Sequence, residues 1–207
     1  MSSLAIVAPH CTTSRLQRYA LKSPTDELLV TRAKEGDRNA FRMLVVRHQQ
    51  GIARTVASML GPVVEVDDVV QEVFIRFYQT LARFRGDAAC RTYLKRIAIN
   101  LSLDTLRRRK RLASRFVSRD NESMYVPEAR DESADPEGFD RRRLLEQALA
   151  SLRPHHRAVV VLRLIDGYST KEAAEILGVP SGTVLSRLSR AVQHLRSILG
   201  PILEYEA

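Results

Sequence analysis

The sequence predicts an all-α protein, two small helical domains joined by a flexible acidic linker. Three observations carry that expectation. Apolar residues recur at helical spacing through most of the chain, and no alternating strand pattern interrupts them. The stretch Asp120 to Asp140 breaks that pattern with eight carboxylates, Pro127, Pro136 and Gly138, and only Arg130 basic. The run Ser169 to Leu199 reads as a complete helix-turn-helix.

Residues 1 to 24 lack sustained periodicity and read as a mobile arm. Thr25 can cap a helix from Asp26, which Gly36 ends. Asp37 caps the next, whose stripe is Phe41, Leu44, Val45, His48, Ile52, Val56 and Met59, up to Gly61 and Pro62. His48 lies on that stripe, and no second ligand sits near it in sequence at metal-site spacing. It therefore reads as a packing residue. A third helix should begin at Asp67 or Asp68 and bury Val69, Val70, Val73, Phe74, Phe77, Leu81 and Phe84. A fourth runs from about Arg91 to Arg111, burying Leu94, Ile97, Ala98, Leu101 and Leu106. The first domain spans 25–112, the linker 113–140 and the second domain 141–203. On such a tether the two domains should move independently in the free chain.

In the second domain, Leu144, Leu145, Ala148, Leu149 and Leu152 give one helix an apolar face. Pro154 starts another, dense in Ala158, Val159, Val160, Leu162 and Leu164 and ended by Gly167. Ser169 and Glu172 then form a capping box, Gly178 closes the short helix, and Pro180 suits the first position of the next. Val184, Leu188, Ala191, Leu195 and Ile198 form the stripe of that last helix. Its other faces carry Ser186, Arg187, Ser189, Arg190 and Gln193. Hydroxyls and guanidinium groups on the free face of a second helix suit the DNA major groove.

The composition fits a polyanionic partner: 207 residues with a formal net charge of +9. The chain lacks an apolar run long enough to span a bilayer and a signal sequence, so a cytoplasmic location is expected. Cys11 and Cys90 are the only cysteines, too few for a disulfide framework or a four-cysteine zinc site. P-loop, metal-ligand and nucleophile–base patterns are absent as well. His155 and His156 are adjacent helical positions that point apart. Neither cofactor nor catalytic role is expected.

Two helices of the first domain carry the chemistry. The fourth bears Arg91, Lys95, Arg96 and Arg107 to Arg111 against one acid, Asp104. Phe84 and Arg85 precede it, Tyr93 sits among its first cations, and Asn100 stands one turn before Asp104. Cations supply phosphate affinity, and an aromatic ring beside them can stack on an unpaired base. Tyr93 keeps a second reading, as a core ring. On the third helix, Asp68, Gln71, Glu72 and Arg76 form a polar ridge of mixed sign. A basic chain would not offer carboxylates to DNA, so this ridge suits a protein partner or simple solvation.

These motifs resemble a known family. Asp67 to Glu72, Phe84-Arg85-Gly86-Asp87, Arg91-Thr92-Tyr93-Leu94, Ile97-Ala98 and Asn100 to Asp104 are similar to region 2 of bacterial RNA polymerase sigma factors. The likeness is to the small extracytoplasmic-function (ECF) group of the sigma-70 family. Leu152 to Gly167, Ser169 to Gly178, Gly182-Thr183-Val184, Ser186-Arg187-Leu188 and Arg190-Ala191 resemble region 4. The long central domain of primary sigma factors has no counterpart.

The resemblance implies an alternative sigma factor that directs core RNA polymerase to promoters, without catalysis of its own. Asp68, Gln71, Glu72 and Arg76 would dock on the beta-prime clamp coiled coil. The beta subunit is a further expected contact. Phe84, Arg85, Arg91, Tyr93, Lys95, Arg96, Asn100, Asp104, Arg107 and Arg108 would recognise and open the −10 element. Ser181, Thr183, Ser186, Arg187 and Arg190 would enter the major groove of the −35 element. An anti-sigma factor is an expected partner, and the chain is expected to be a monomer when free. Three positions depart from the pattern. Tyr93 stands where Trp is frequent, Cys90 where an aromatic is usual, and Leu185 where a basic residue is common.

Two other readings of the residues are a stand-alone repressor or activator, and a metal-dependent nuclease. The first leaves the basic fourth helix and the ridge without a purpose. The second needs ordered carboxylates, whereas the clustered ones lie in the linker.

Overall fold

The computed structural model describes residues 24–84, 86, 89–116 and 136–203, all helices and their connections. The arm, Arg85 and most of the acidic stretch lie outside the described residues. The helices are α1 (Asp26–Lys34), α2 (Arg38–Leu60), α3 (Glu65–Thr80), α4 (Cys90–Phe116), α5 (Pro136–Ser151), α6 (Pro154–Val160), α7 (Thr170–Leu177) and α8 (Ser181–Leu203).

Local signals set most boundaries. The Thr25 hydroxyl accepts from Leu28 N at 3.4 Å. Asp37 Oδ1 accepts from Asn39 N and Ala40 N at 2.9 and 3.1 Å, and its other oxygen pairs with Arg32 at 2.6 Å. The chain leaves α2 through Gly61 at φ +82°, a conformation that a Cβ would strain. α3 starts at Glu65, ahead of the expected Asp67 or Asp68. Glu65, Asp67 and Asp68 all sit in its first turn, where carboxylates favour the helix dipole, and none of them caps it. α4 extends beyond Arg111 to Phe116, since neither Gly nor Pro interrupts it.

Helices α1 to α4 enclose Leu29, Leu44, Ile52, Val56, Met59, Val73, Phe77 and Leu94, all fully buried. Phe41, Phe77, Phe84 and Tyr93 form a chain of ring contacts along one end of this core, with centroids 5.0–6.2 Å apart. In the second half, α6 runs into a π-helical turn over Val161–Ile165, closed by Asp166 N to Val161 O at 2.8 Å. The capping box is formed, with Glu172 N to Ser169 Oγ at 3.2 Å and Ser169 N to Glu172 Oε2 at 2.8 Å. Pro180 precedes α8 rather than opening it. Its carbonyl takes the first helical bonds, from Thr183 N and Val184 N.

The structure places the two domains in contact. The halves pack against each other, α4 lying against α6 and α7, and one hydrophobic core runs through both. Val159, Leu162, Tyr168, Ala173 and Ile176 join the residues of α1–α4 in that core. The cause is visible on α4. Besides the expected stripe, Lys95, Ile99, Ser102 and Leu103 are buried, so the helix has partners on more than one face. A periodicity search for one stripe does not see the second.

Candidate nucleic-acid interface

The ridge on α3 is formed as expected. Asp68, Gln71 and Arg76 are exposed and Glu72 is half-exposed. Arg76 Nε donates to Glu72 Oε1 at 2.7 Å, an i,i+4 pair that holds the ridge without burying it.

The −10 set divides. Asn100, Asp104, Arg107 and Arg108 lie exposed on one stretch of α4, where Arg107 donates to Asp104 at 2.8 Å. Arg91 and Arg96 are exposed but turned to the second domain. The Arg91 guanidinium lies 4.7 Å over the Tyr168 ring, and Arg96 donates to the Glu175 carbonyl at 2.7 Å.

Two members are corrected in this arrangement. Phe84 is buried among Phe77 and Tyr93, and Lys95 is only 4 % exposed. Lys95 Nζ reaches Asp166 Oδ1 and the Gly51 carbonyl, both at 2.9 Å, and also bonds Thr55 Oγ1. Its charge is spent inside the protein. Burial pushes its ammonium below the usual lysine range, while Asp166 pulls it upward. Tyr93 adopts the core arrangement: half-buried, its hydroxyl donates to Thr80 Oγ1 at 3.1 Å. Arg85 lies outside the described residues.

Two arginines that the sequence pattern does not mark turn inward. Arg109, one of the basic run, donates to the Leu60 carbonyl at 3.2 Å and pairs with Glu65 at 3.3 Å. Buried Arg157 of α6 donates to the Met59 carbonyl at 2.7 Å. Together they satisfy the Met59 and Leu60 carbonyls at the end of α2, where cations also complement the dipole. A basic run in sequence gives no sign of which member turns inward.

On α8, Val184 and Ala191 are buried and Leu188, Leu195 and Ile198 half-buried, as the stripe requires. Ser181, Ser186 and Arg190 are exposed, and Thr183 and Arg187 partly so. The Ser186 hydroxyl donates to the Thr183 carbonyl at 3.1 Å. Leu185 stands among these polar groups at 54 % exposed. His155 and His156 lie near Arg187. Burial first, then the neighbouring arginines, push both imidazoles below their ordinary range.

Comparison with known proteins decides the assignment. Residues 44–112 match the Sigma-70 region 2 family, and residues 142–195 match the Sigma-70 region 4 family. The ECF RNA polymerase sigma-E factor of Escherichia coli is 36% identical over 185 residues, 86% of this chain and 96% of that protein. The chain belongs to the ECF group of the sigma-70 family.

Solved structures agree with the fold. CnrH in complex with the cytosolic domain of CnrY gives a TM-score of 0.65 at 28% identity, over 85% of this chain and 97% of that one. The sigma factor RpoE in complex with the anti-sigma factor NepR, from Bartonella quintana, gives 0.60 at 24% identity, over 77% and 96%. The matched region 2 runs from the second turn of α2 to near the end of α4. Region 4 runs from α5 into α8.

Proposed function

We infer that this ECF sigma factor directs core RNA polymerase to a particular set of promoters, as a non-catalytic specificity subunit. The observation that carries the reading is the ordered pair of regions 2 and 4 on one chain, each with a polar surface suited to its task. The exposed α3 ridge of Asp68, Gln71, Glu72 and Arg76 offers carboxylates that a basic chain cannot use for DNA. It suits the beta-prime clamp of the polymerase, with the beta subunit as a further contact. Asn100, Asp104, Arg107 and Arg108 present amide, carboxylate and guanidinium groups for the −10 element. Ser181, Thr183, Ser186, Arg187 and Arg190 present donors and acceptors for the −35 major groove. The domains assigned are the arm 1–24, region 2 at 25–112, the linker 113–140 and region 4 at 141–203.

In the packed arrangement Arg91, Lys95 and Arg96 face the second domain. The two halves therefore separate before Arg91 and Arg96 of region 2 engage DNA. This arrangement is the free state of a monomer, and polymerase selects the open one. The likeness to sigma factors solved with protein partners supports an anti-sigma factor that regulates this chain. No helix among the described residues is long and apolar enough to cross a membrane. A cytoplasmic location follows from the polymerase partner.

Reconstitution with core polymerase and sequencing of the transcript starts tests the reading. Starts at a restricted set of sites, dependent on the chain, are expected. Starts identical to those of core polymerase alone would overturn it.

A further inference from the structure

Three donors far apart in sequence meet at the end of the region 2 core. Asp26 opens α1, His48 lies in the middle of α2 and Cys90 opens α4. One carboxylate oxygen, one imidazole nitrogen and the sulfur all lie within 4.8 Å of one another. His48 Nε2 is 2.8 Å from Asp26 Oδ2. Cys90 is buried, and the other two side chains are largely so.

From this geometry we propose that Asp26, His48 and Cys90 form a zinc-class metal site, with three protein ligands and a water-facing fourth position. The donor set selects the ion. Thiolate and imidazole favour zinc over calcium or magnesium, which take oxygen ligands. At zinc bond lengths of about 2.0–2.3 Å, tetrahedral donors stand about 3.5 Å apart, so small side-chain rotations close the triad.

The charges balance as well. A thiolate and a carboxylate neutralise a dication. Arg47 donates to Asp26 Oδ1 at 2.6 Å and to the Pro24 carbonyl at 2.8 Å. It thereby holds the oxygen that the ion does not need, as an outer partner of a metal-bound carboxylate does. Without an ion, Cys90 is a buried free thiol. It is then an inert filler, and Asp26 and His48 satisfy each other. Binding releases the thiol proton to solvent and replaces the Asp26–His48 hydrogen bond with two bonds to the ion.

The position gives the site a consequence. Cys90 immediately precedes Arg91, so the ion fastens α1 and α2 to the first residue of the basic helix. Lys34, at the other end of α1, already donates to the Phe84 carbonyl at the entry to the same loop. Metal occupancy thus fixes where α1 sits against the start of α4.

The test uses the full reduced chain and Co²⁺ as a spectroscopic probe. One Co²⁺ per chain is expected, with a thiolate-to-cobalt charge-transfer band that stoichiometric Zn²⁺ abolishes. The band is expected to persist in Cys11→Ser and vanish in Cys90→Ser. Affinity is expected to fall at least tenfold in Asp26→Asn and His48→Gln. Absence of the band in the wild-type chain at saturating Co²⁺, or its persistence in Cys90→Ser, would overturn the proposal. Should Cys90→Ser fail to fold, His48→Gln decides: native circular dichroism with wild-type cobalt affinity would equally overturn it.

Discussion

Lys95 of α4 and Asp166, which follows the π turn of α6, meet at 2.9 Å across the boundary between regions 2 and 4. Both side chains are almost fully buried, and the Thr55 hydroxyl lies 2.9 Å from the second Asp166 oxygen. A buried charge that loses its partner costs about 3–5 kcal/mol if it stays buried. Separation of the domains rehydrates it instead. Asp166→Asn is therefore expected to open the chain. Small-angle scattering should show a larger radius of gyration with unchanged helix content. Lys95→Met combined with Asp166→Leu removes both charges and should restore the packed form. An Asp166→Asn chain as compact as wild type would show that the Lys95–Asp166 pair does not hold the halves together.

The α3 ridge makes a separate prediction. Asp68 and Glu72 are outside the core, so Asp68→Lys with Glu72→Lys should leave the thermal transition within a few degrees of wild type. Binding to core polymerase should be lost. Co-purification with polymerase at wild-type level would rule out the ridge as the docking surface.

The size of the substitution separates the two readings of Tyr93. Tyr93→Phe loses only the bond to Thr80 and should cost about 1 kcal/mol in urea unfolding. Tyr93→Ala empties the contact with Phe77 and Phe84 and should cost about 3 kcal/mol. Because a stacked ring needs no hydroxyl, Tyr93→Phe should also keep promoter opening. Loss of opening in a stable Tyr93→Phe chain would show that the hydroxyl itself contacts DNA.

The site was legible in the sequence where one residue type serves one face. The Ser169–Glu172 capping box, Gly178 and the Val184–Ile198 stripe each report a local preference, and all three are formed. The α3 ridge was legible for the same reason. Lys95, Arg109 and Arg157 were not. Their partners, Asp166, Leu60 and Met59, are far away in sequence, and a cation has the same pattern whether it turns toward solvent or toward a carbonyl. His48 shows the same blindness. Its neighbours Asp26 and Cys90 arrive from other helices, so spacing in sequence could not reveal them.

The cap of α2 carries a pH dependence. Backbone donation from Ala40, and then Arg32, hold the Asp37 carboxyl below its ordinary value of 3.8. The folded chain thus binds this proton less readily than the unfolded one. Its stabilisation is present above pH 3.8 and drains away as the pH falls through the folded value. Asp37→Asn should lower the melting temperature at neutral pH, and the gap from wild type should close as the pH drops below 3.8. A gap that stays constant into acid would show that the charge contributes nothing.

We propose that the two regions of this one chain are packed together when free and are separated by polymerase. Energy transfer between dyes on exposed positions measures it directly. Gln49→Cys on α2 and Ser197→Cys on α8, with Cys11→Ser, place one dye on each region while Cys90 stays buried. High transfer in the free chain and a marked fall on adding core polymerase are predicted. Low transfer in the free chain, or transfer that polymerase leaves unchanged, would contradict the account.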